Sequence, residues 1–337
     1  MLTVVICTCN RPEYLRQALQ SIRDQTALAS IAKVIVSENG ADERSRAICE
    51  SGFPDLPIQY KYQDPVLPVD KHFASHRADV ETAYVAILHD DDWWLPTHVE
   101  NALAELGQNN GVATFANHFL AESERHFFVS SYRNPPIWLL SGRDFSKPAA
   151  RVAPLNNFLI CLINACYHFS TFIGRTEACW SSLASAVADG NIYDTDRTFP
   201  IFLGQQGPVS YLTKPSAVIR THPGQDSLQE VYRNEGGALM AQTTLSIKKL
   251  FPTQTEAAAA LFNQEIKPCL STQELDLIQR YLPLEQLVAL QEGCGFDLAE
   301  VITTRQQASA AAKARQSPSL LFRLKCKLKP MLVRSRG

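Results

Sequence analysis

Long apolar runs are missing from this sequence. The most apolar stretch, residues 158–174, is interrupted by Asn164 and His168. It falls short of the roughly 20 apolar residues that a membrane-spanning helix needs, and reads as buried core. The opening Met1-Leu2-Thr3-Val4-Val5-Ile6 has neither a basic leader nor a cleavage site, so no signal peptide is expected. A surplus of charge is missing too. Lys and Arg number 32 against 34 Asp and Glu, a net charge of −2, which argues against a chain that binds nucleic acid over its whole surface. The nine cysteines are scattered and odd in number. Only Cys7 and Cys9 lie close together, with no second pair to complete a zinc site, so reduced thiols are expected. No internal repeat is visible. What remains is a cytoplasmic protein, soluble or peripheral at the inner face of the plasma membrane. Its 337 residues suffice for one large domain and an appendage.

What is present is alternation. Leu2–Thr8 is a continuous apolar and β-branched run, the pattern of a buried strand. Asn10 then offers an N-cap and Pro12 a first-turn proline to a helix carrying Leu15, Ala18, Leu19 and Ile22 at helical spacing. A strand over 33–38 ends in the turn Asn39-Gly40, followed by a helix over 43–50 and a strand over 58–63. A polar helix over 72–82, a strand over 84–88, a helix over 97–106 and a strand over 112–117 complete the pattern. This alternation predicts an α/β fold with a mostly parallel sheet covered on both faces. Ligands of such sheets bind beyond the carboxyl ends of the strands, where Thr8, Glu38 and Asp90 to Asp92 all fall. Farther on, the sequence suggests an antiparallel strand over 126–132, a Pro-rich loop at Asn134-Pro135-Pro136 and a helix over 177–187. Strands over 209–212 and 217–221 precede a helical region from Val231. Three units are expected: an α/β domain over 1–230, a helical extension over 231–304 and a tail over 305–337.

The densest chemistry lies in His89-Asp90-Asp91-Asp92-Trp93-Trp94. Three carboxylates crowded at the end of a buried strand repel one another and resist ionisation. A bound divalent cation would remove that cost. Hard oxygen donors at this density suit Mg²⁺ or Mn²⁺, above all where phosphate oxygens complete the shell. The competing reading is a solvated acidic turn before a helix capped by Asp92 or Thr97.

The last segment holds no acidic residue after Glu300, while Arg305, Lys313, Arg315, Arg323, Lys325, Lys327, Lys329, Arg334 and Arg336 are basic. Leu320, Leu321, Phe322, Leu324, Leu328, Met331, Leu332 and Val333 lie among them. A basic amphipathic tail of this kind fits an anionic membrane surface. The alternatives are a solvated tail, or one docked on a partner or on the domain itself.

In their order these pieces resemble the family 2 glycosyltransferases of the GT-A fold. The segment Val4-Val5-Ile6-Cys7-Thr8-Cys9-Asn10-Arg11-Pro12 looks like the family's first strand and nucleotide loop. Val34-Ile35-Val36-Ser37-Glu38-Asn39-Gly40-Ala41-Asp42 looks like its second strand, with Glu38 where the family usually has Asp. His89-Asp90-Asp91-Asp92-Trp93 looks like its metal-binding DxD motif. A fourth piece is Tyr193-Asp194-Thr195-Asp196, followed by Gly207 and a strand ending Arg220-Thr221-His222-Pro223. The resemblance implies a Rossmann-like, mostly parallel sheet with flanking helices, and it covers residues 1–230.

The resemblance also implies an inverting, divalent-metal-dependent transfer of a hexose-type sugar. The nucleotide-sugar donor would be UDP- or dTDP-linked. The acceptor would be a glycan or a lipid-linked saccharide in cell-surface polysaccharide synthesis. Thr8, Asn10, Arg11, Glu38, Arg77, Asp90 and Asp91 would bind the donor, Glu38 through a uracil N3–H or a ribose hydroxyl. Mn²⁺ or Mg²⁺ would sit on Asp90 and Asp92, with His222 closing the site. An acceptor hydroxyl needs a base within hydrogen-bond reach. Asp194 matches that position, with Tyr193 where the family usually has Glu, and Asp196 is the fallback. One base and direct displacement would invert the anomeric centre, since the covalent route needs a second, nucleophilic carboxylate. Plainer roles stay open: Asn10 as a helix cap, Arg11 and Arg77 as solvated side chains, His222 as a strand end, Asp194 as an N-cap. Two other functions stay open as well. A nucleotidyltransferase would carry a Gly-rich, Lys- or Arg-containing loop after the first strand, and Thr8 to Pro12 contain neither Gly nor Lys. A non-catalytic nucleotide-sugar-binding module is the other.

Overall fold

In this computed structural model the described residues are 1–40, 42–123, 126–129, 149–163, 167–188, 195–222, 230–272, 275, 278 and 282–316. The strands in chain order are β1 (Leu2–Thr8), β2 (Ile31–Glu38), β3 (Ile58–Tyr62), β4 (Tyr84–Ile87), β5 (Trp93–Trp94), β6 (Ala113–Ser123), β7 (His126–Val129), β8 (Ala149–Val152), β9 (Ile173–Arg175) and β10 (Val209–Arg220). They form one ten-stranded sheet in the order β3-β2-β1-β4-β9-β6-β10-β5, with β7 added beside β6 and β8 beside β10. The first four strands are mutually parallel; β9 runs antiparallel between β4 and β6, and β6 and β10 are parallel again. The expected mostly parallel α/β sheet is therefore present.

The apolar run of β1 has no polar face because both sides of the sheet are covered. Val4, Ile6 and Val36 pack with Leu15, Leu19 and Ile22 of α1 (Pro12–Arg23). Val99, Ala102 and Leu106 of α4 (His98–Asn109) join the same face, while α2 (Glu43–Ala47) and α3 (Val69–Ala74) precede α4 in the chain. The alternate residues Val5, Ile35, Val85 and Ile87 face the other way. They belong to one core with α5 (Pro154–Ile163), α6 (Thr176–Ala188) and α7 (Thr195–Gln206). That core runs on without a break into the C-terminal helices α8 (Glu230–Leu250), α9 (Pro252–Leu261), α10 (Leu284–Val288) and α11 (Ala299–Gln316), through Ile247, Ala258, Leu287 and Val301.

One buried cation ties these helices together. Arg197 of α7 is fully buried and donates to the Cys161 carbonyl at 3.0 Å and the Leu162 carbonyl at 2.6 Å, near the C-terminus of α5. It also donates to the Met240 carbonyl at 3.1 Å and Thr244 Oγ1 at 2.9 Å on α8. A guanidinium at a helix C-terminus meets the negative end of the helix dipole and carbonyls that have no partner within the helix.

Several local expectations need correction. Arg11, not Asn10, is the N-cap of α1, and it gives no side-chain cap bond. Asn10 adopts φ 56° in the left-handed region, which short polar side chains tolerate. The helix expected over 72–82 is instead α3, followed by a separate turn at Arg77–Asp79. Asp79 draws the chain away from a helical path: its carboxylate accepts from Lys61 and His76, and its carbonyl accepts from Lys33 Nζ at 2.9 Å. The strands expected over 209–212 and 217–221 are the single strand β10, with a register shift between Leu212 and Ala217 where Pro215 has no N–H to donate. The core reading of 158–174 holds for α5 and β9, whereas 164–166 and the loop at 134–136 lie outside the described residues. α11 crosses residue 305, and residues 317–337 lie outside the description. Among the described residues no helix is long and apolar enough to cross a membrane.

His98, fully buried at the start of α4, holds Ser216 of β10 through Nδ1 at 2.8 Å. Burial pushes its pKa down to about 3. The unfolded chain, with an ordinary histidine pKa of about 6.5, binds that proton more readily, so His98 makes stability fall as pH drops below about 6.5. We expect His98→Gln to reduce the pH slope of unfolding free energy by about 1.4 kcal/mol per pH unit between roughly pH 6 and 4. Urea unfolding at a series of pH values reads this directly, and an unchanged slope would contradict it.

Candidate active site

The carboxyl ends of β1, β2 and β4 lie side by side, and the end of β10 joins them. The order β2-β1-β4 makes this the point where successive connections leave in opposite directions, which opens a crevice. Asp90, Asp91 and Asp92 follow β4 directly and are all buried, at 4, 7 and 2% exposure. A solvated acidic turn is thereby excluded.

Each carboxylate has its own partners. Thr8 at the end of β1 donates its hydroxyl to Asp90 Oδ2 at 2.8 Å. Arg11 Nη1 lies 3.4 Å from Asp90 Oδ1 and 3.3 Å from Asp91 Oδ2. His222, just past β10, places Nε2 2.9 Å from the same Asp91 oxygen. Asp92 points elsewhere: its Oδ1 accepts the Arg220 backbone N–H at 2.9 Å and its Oδ2 the Ser170 hydroxyl at 2.6 Å. Burial, reinforced by Asp91, pushes Asp90 up to about 7, and the same two causes raise Asp92 well above the ordinary range. Burial also pushes Asp91 upward, but His89, His222 and Arg11 together outweigh it and hold Asp91 below the usual range. Asp91 is therefore the fixed negative charge of the cluster.

The flanking loops are built around buried polar anchors. Glu38, fully buried, accepts the backbone N–H of Asn10 at 3.0 Å and of Gly40 at 2.8 Å through Oε1. Its Oε2 is buried with no hydrogen-bond partner. A Cβ at Gly40 would fall on the Asn10 side-chain amide, so a larger residue there would displace that side chain. On the opposite side Arg220 is clamped between aromatic faces, its Cζ 4.4 Å from the Tyr14 ring centroid and 4.9 Å from that of Trp93. Its Nη2 donates to Gln17, while Nη1 is buried without a hydrogen-bond partner.

The pattern of the family described as Glycosyl transferase family 2 matches residues 3–180, more than half of the 337-residue chain. The chain belongs to glycosyltransferase family 2. A search of curated proteins gives no match. Among solved structures, S. aureus TarS 1-349 in complex with UDP-GlcNAc is similar at 16% identity, over 87% of this chain and 82% of that one, with a TM-score of 0.57. The same TarS fragment in complex with UDP matches at 14% identity over 92% and 91%, TM-score 0.53. The mannosyltransferase PcManGT from Pyrobaculum calidifontis, in complex with GDP-Man and Mn2+, matches at 14% over 98% and 79%, TM-score 0.50. The fold is GT-A, as the sequence resemblance implied.

This glycosyltransferase brings Thr8, Asn10, Arg11, Glu38, Asp90, Asp91, Asp92 and His222 into one crevice. Arg77 is not among them: it reaches Glu177 Oε2 at 3.6 Å, just past Arg175, which pairs with Tyr84 at the amino end of β4. Asp194 lies outside the described residues, and Asp196 sits half-buried in the first turn of α7. Sequence reasoning missed Ser170, His168 and Tyr14, and it missed the clamped Arg220 side chain. Only the polar interruptions of the apolar stretch over 158–174 gave a sign of the first two.

Two carboxylate–imidazole groupings flank the triplet, and the first has the spacing of a metal site. His89, Asp92 and His168 each place a ligand atom within 4.8 Å of the other two. Both Asp92 oxygens already accept hydrogen bonds there, and His168 Nδ1 accepts the Ser170 N–H at 3.2 Å. Asp91, whose Oδ2 meets His222 and Arg11, and the adjacent Asp90 supply further carboxylate oxygens of the kind that Mn²⁺ or Mg²⁺ takes. Asp92 also braces two segments through its bonds to the Arg220 N–H and the Ser170 hydroxyl. Asp92→Ala would strand the Arg220 N–H and the Ser170 hydroxyl, and we expect it to lower stability by about 2 kcal/mol. Asp91→Asn should cost less than half as much in the same urea titration. Equal losses would remove the distinction.

Proposed function

We propose that this glycosyltransferase moves a hexose-type sugar from a nucleoside-diphosphate donor to a saccharide hydroxyl, with inversion and with the help of Mn²⁺ or Mg²⁺. The observation that carries the reading is the buried Asp90-Asp91-Asp92 cluster met by the side chains of Arg11 and His222, with the backbone of Arg220 on Asp92 and its guanidinium held by Tyr14 and Trp93. Departure of a nucleoside diphosphate builds negative charge on the leaving group, and a crevice able to concentrate cations meets that need. A divalent ion held by Asp91 and His222, beside Asp90, would act as Lewis acid and template for the diphosphate. Arg11 bridges two of the carboxylates, and Arg220 is fixed by its aromatic clamp with one guanidinium nitrogen still unpaired. These two cations are suited to diphosphate oxygens. Thr8 and Asn10 line the entry. Glu38 shapes the base pocket by holding the Asn10 and Gly40 amides, with Oε2 left for a base or ribose donor. The UDP-GlcNAc, UDP and GDP-Man complexes of the similar structures support a nucleoside-diphosphate sugar as donor.

Asp194 is our choice of base on sequence grounds, with Asp196 as fallback. The acceptor we infer is a glycan or lipid-linked saccharide of cell-surface polysaccharide synthesis. The basic, Leu-rich segment after residue 317 would hold the enzyme at an anionic membrane on the cytoplasmic side.

Thermal unfolding with a panel of nucleotide sugars, in Mn²⁺ or in EDTA, tests the donor reading. One donor should raise the melting temperature only with metal, since ligand that binds the native state stabilises it by mass action. Asp91→Asn should abolish that shift. No shift with any donor would overturn the reading, and a shift without donor hydrolysis or transfer would favour the binding module. Asp194→Asn should reduce turnover about 10²- to 10⁴-fold with the donor-induced shift intact; near-normal turnover would move the base elsewhere. Deleting residues 318–337 should release the protein from anionic liposomes in flotation. Flotation that persists would exclude the tail as the anchor.

A further inference from the structure

Beneath the crevice, on the face of the sheet opposite α1, a second group of ligand-type side chains is buried. Cys7 of β1, His72 of α3 and His76 just after α3 are 8, 2 and 3% exposed. One potential ligand atom from each lies within 4.8 Å of the other two. The two histidines are four residues apart, the spacing that puts two imidazoles on one side of a helical turn, and their rings lie 5.6 Å apart. None of the three hydrogen-bonds the carboxylate cluster, although burial and the nearby Asp90 raise the Cys7 thiol pKa, and the glycosyl-transfer reading assigns them no task.

Three features suit this group to a metal. His76 Nδ1 lies 3.1 Å from Asp79 Oδ2, the carboxylate–histidine pairing that orients metal-binding imidazoles. His76 Nε2 is buried with no hydrogen-bond partner. An unpaired buried ring nitrogen is a standing cost unless something coordinates it. His72 Nε2 lies 2.7 Å from Ser37 Oγ, a hydrogen bond that fixes the orientation of its ring.

We propose that Cys7, His72 and His76 form a buried site for Zn²⁺, separate from the donor crevice, which pins α3 to β1. One thiolate and two imidazoles match the donor preference of zinc, and a water would complete four-coordination. Zinc–sulfur and zinc–nitrogen bonds of about 2.3 and 2.0 Å place tetrahedral ligands roughly 3.3–3.5 Å apart. The group therefore closes by up to about 1.5 Å on binding, a shift that falls to the six-residue α3 and the turn after it. Cys7 adjoins Thr8, whose hydroxyl holds Asp90, so the bound ion also stiffens the floor of the donor site.

Co²⁺ titration of the metal-free full-length protein is the test, because Co²⁺ bound to a thiolate absorbs by charge transfer and Co²⁺ bound to carboxylates does not. Wild type should show the band, and one equivalent of Zn²⁺ should displace it. The band should vanish in Cys7→Ser and in His76→Gln, persist in Cys9→Ser and in Asp91→Asn, and need about 10- to 100-fold more Co²⁺ in Asp79→Asn. Retention in Asp91→Asn separates this site from the glycosyl-transfer centre, whatever becomes of that reading. No thiolate band in wild type, or a band that survives Cys7→Ser, would overturn the proposal. Should Cys7→Ser fail to fold, loss of the band in a folded His76→Gln carries the same weight.

Discussion

Everything around the crevice answers to one constraint: three neighbouring carboxylates are held out of water at the end of a single strand. Desolvation and mutual repulsion both oppose their ionisation, so the surroundings must supply hydrogen bonds and positive charge. They come from far along the chain. Thr8 and Arg11 arrive from the first strand and its helix, Ser170 from the turn before β9, and Arg220 with His222 from the end of β10. The cluster thereby fixes how four remote segments meet, and the crevice is the space they leave.

Within the triplet the labour is divided by environment, not by residue type. Asp92 is saturated by a backbone amide and a buried hydroxyl, and it serves the fold. Asp91 meets an imidazole and a guanidinium and stays charged. Asp90 lies between, its hydroxyl partner favouring the ion and its burial opposing it. Adjacent positions in a sequence of identical letters thus acquire three different acidities.

Much of this was legible from local pattern. Buried strands announce themselves as unbroken Val and Ile runs, so β1 was read to the residue and the ends of β2 and β4 nearly so. Strand–helix alternation then placed Glu38 and the triplet at carboxyl ends of strands in one sheet. Partners supplied from a distance were not legible. Ser170 looks like any serine in an apolar stretch, and nothing local shows that its hydroxyl meets a carboxylate 78 residues away. Asn10 was misread because an N-cap signature and a left-handed turn residue share the same short polar side chain. The helix over 72–82 was overextended because Asp79 is held by Lys61 and Lys33 on other strands, a pull that helical periodicity cannot reveal.

The strand order carries a geometric consequence. Between β4 and β5 in the sheet stand β9, β6 and β10, yet in the chain only residues 88–92 separate them. Four strand spacings in a flat sheet amount to about 19 Å. Six residue steps reach about 20 Å only when fully extended, and this segment contains a turn closed by the Asp92 N–H on the His89 carbonyl at 3.3 Å. A strap that short cannot cross a flat surface of that width. The far edge of the sheet must bend back toward β4, and the acidic segment is the drawstring that gathers it, so the hollow where a donor would lie is set by the length of its own floor.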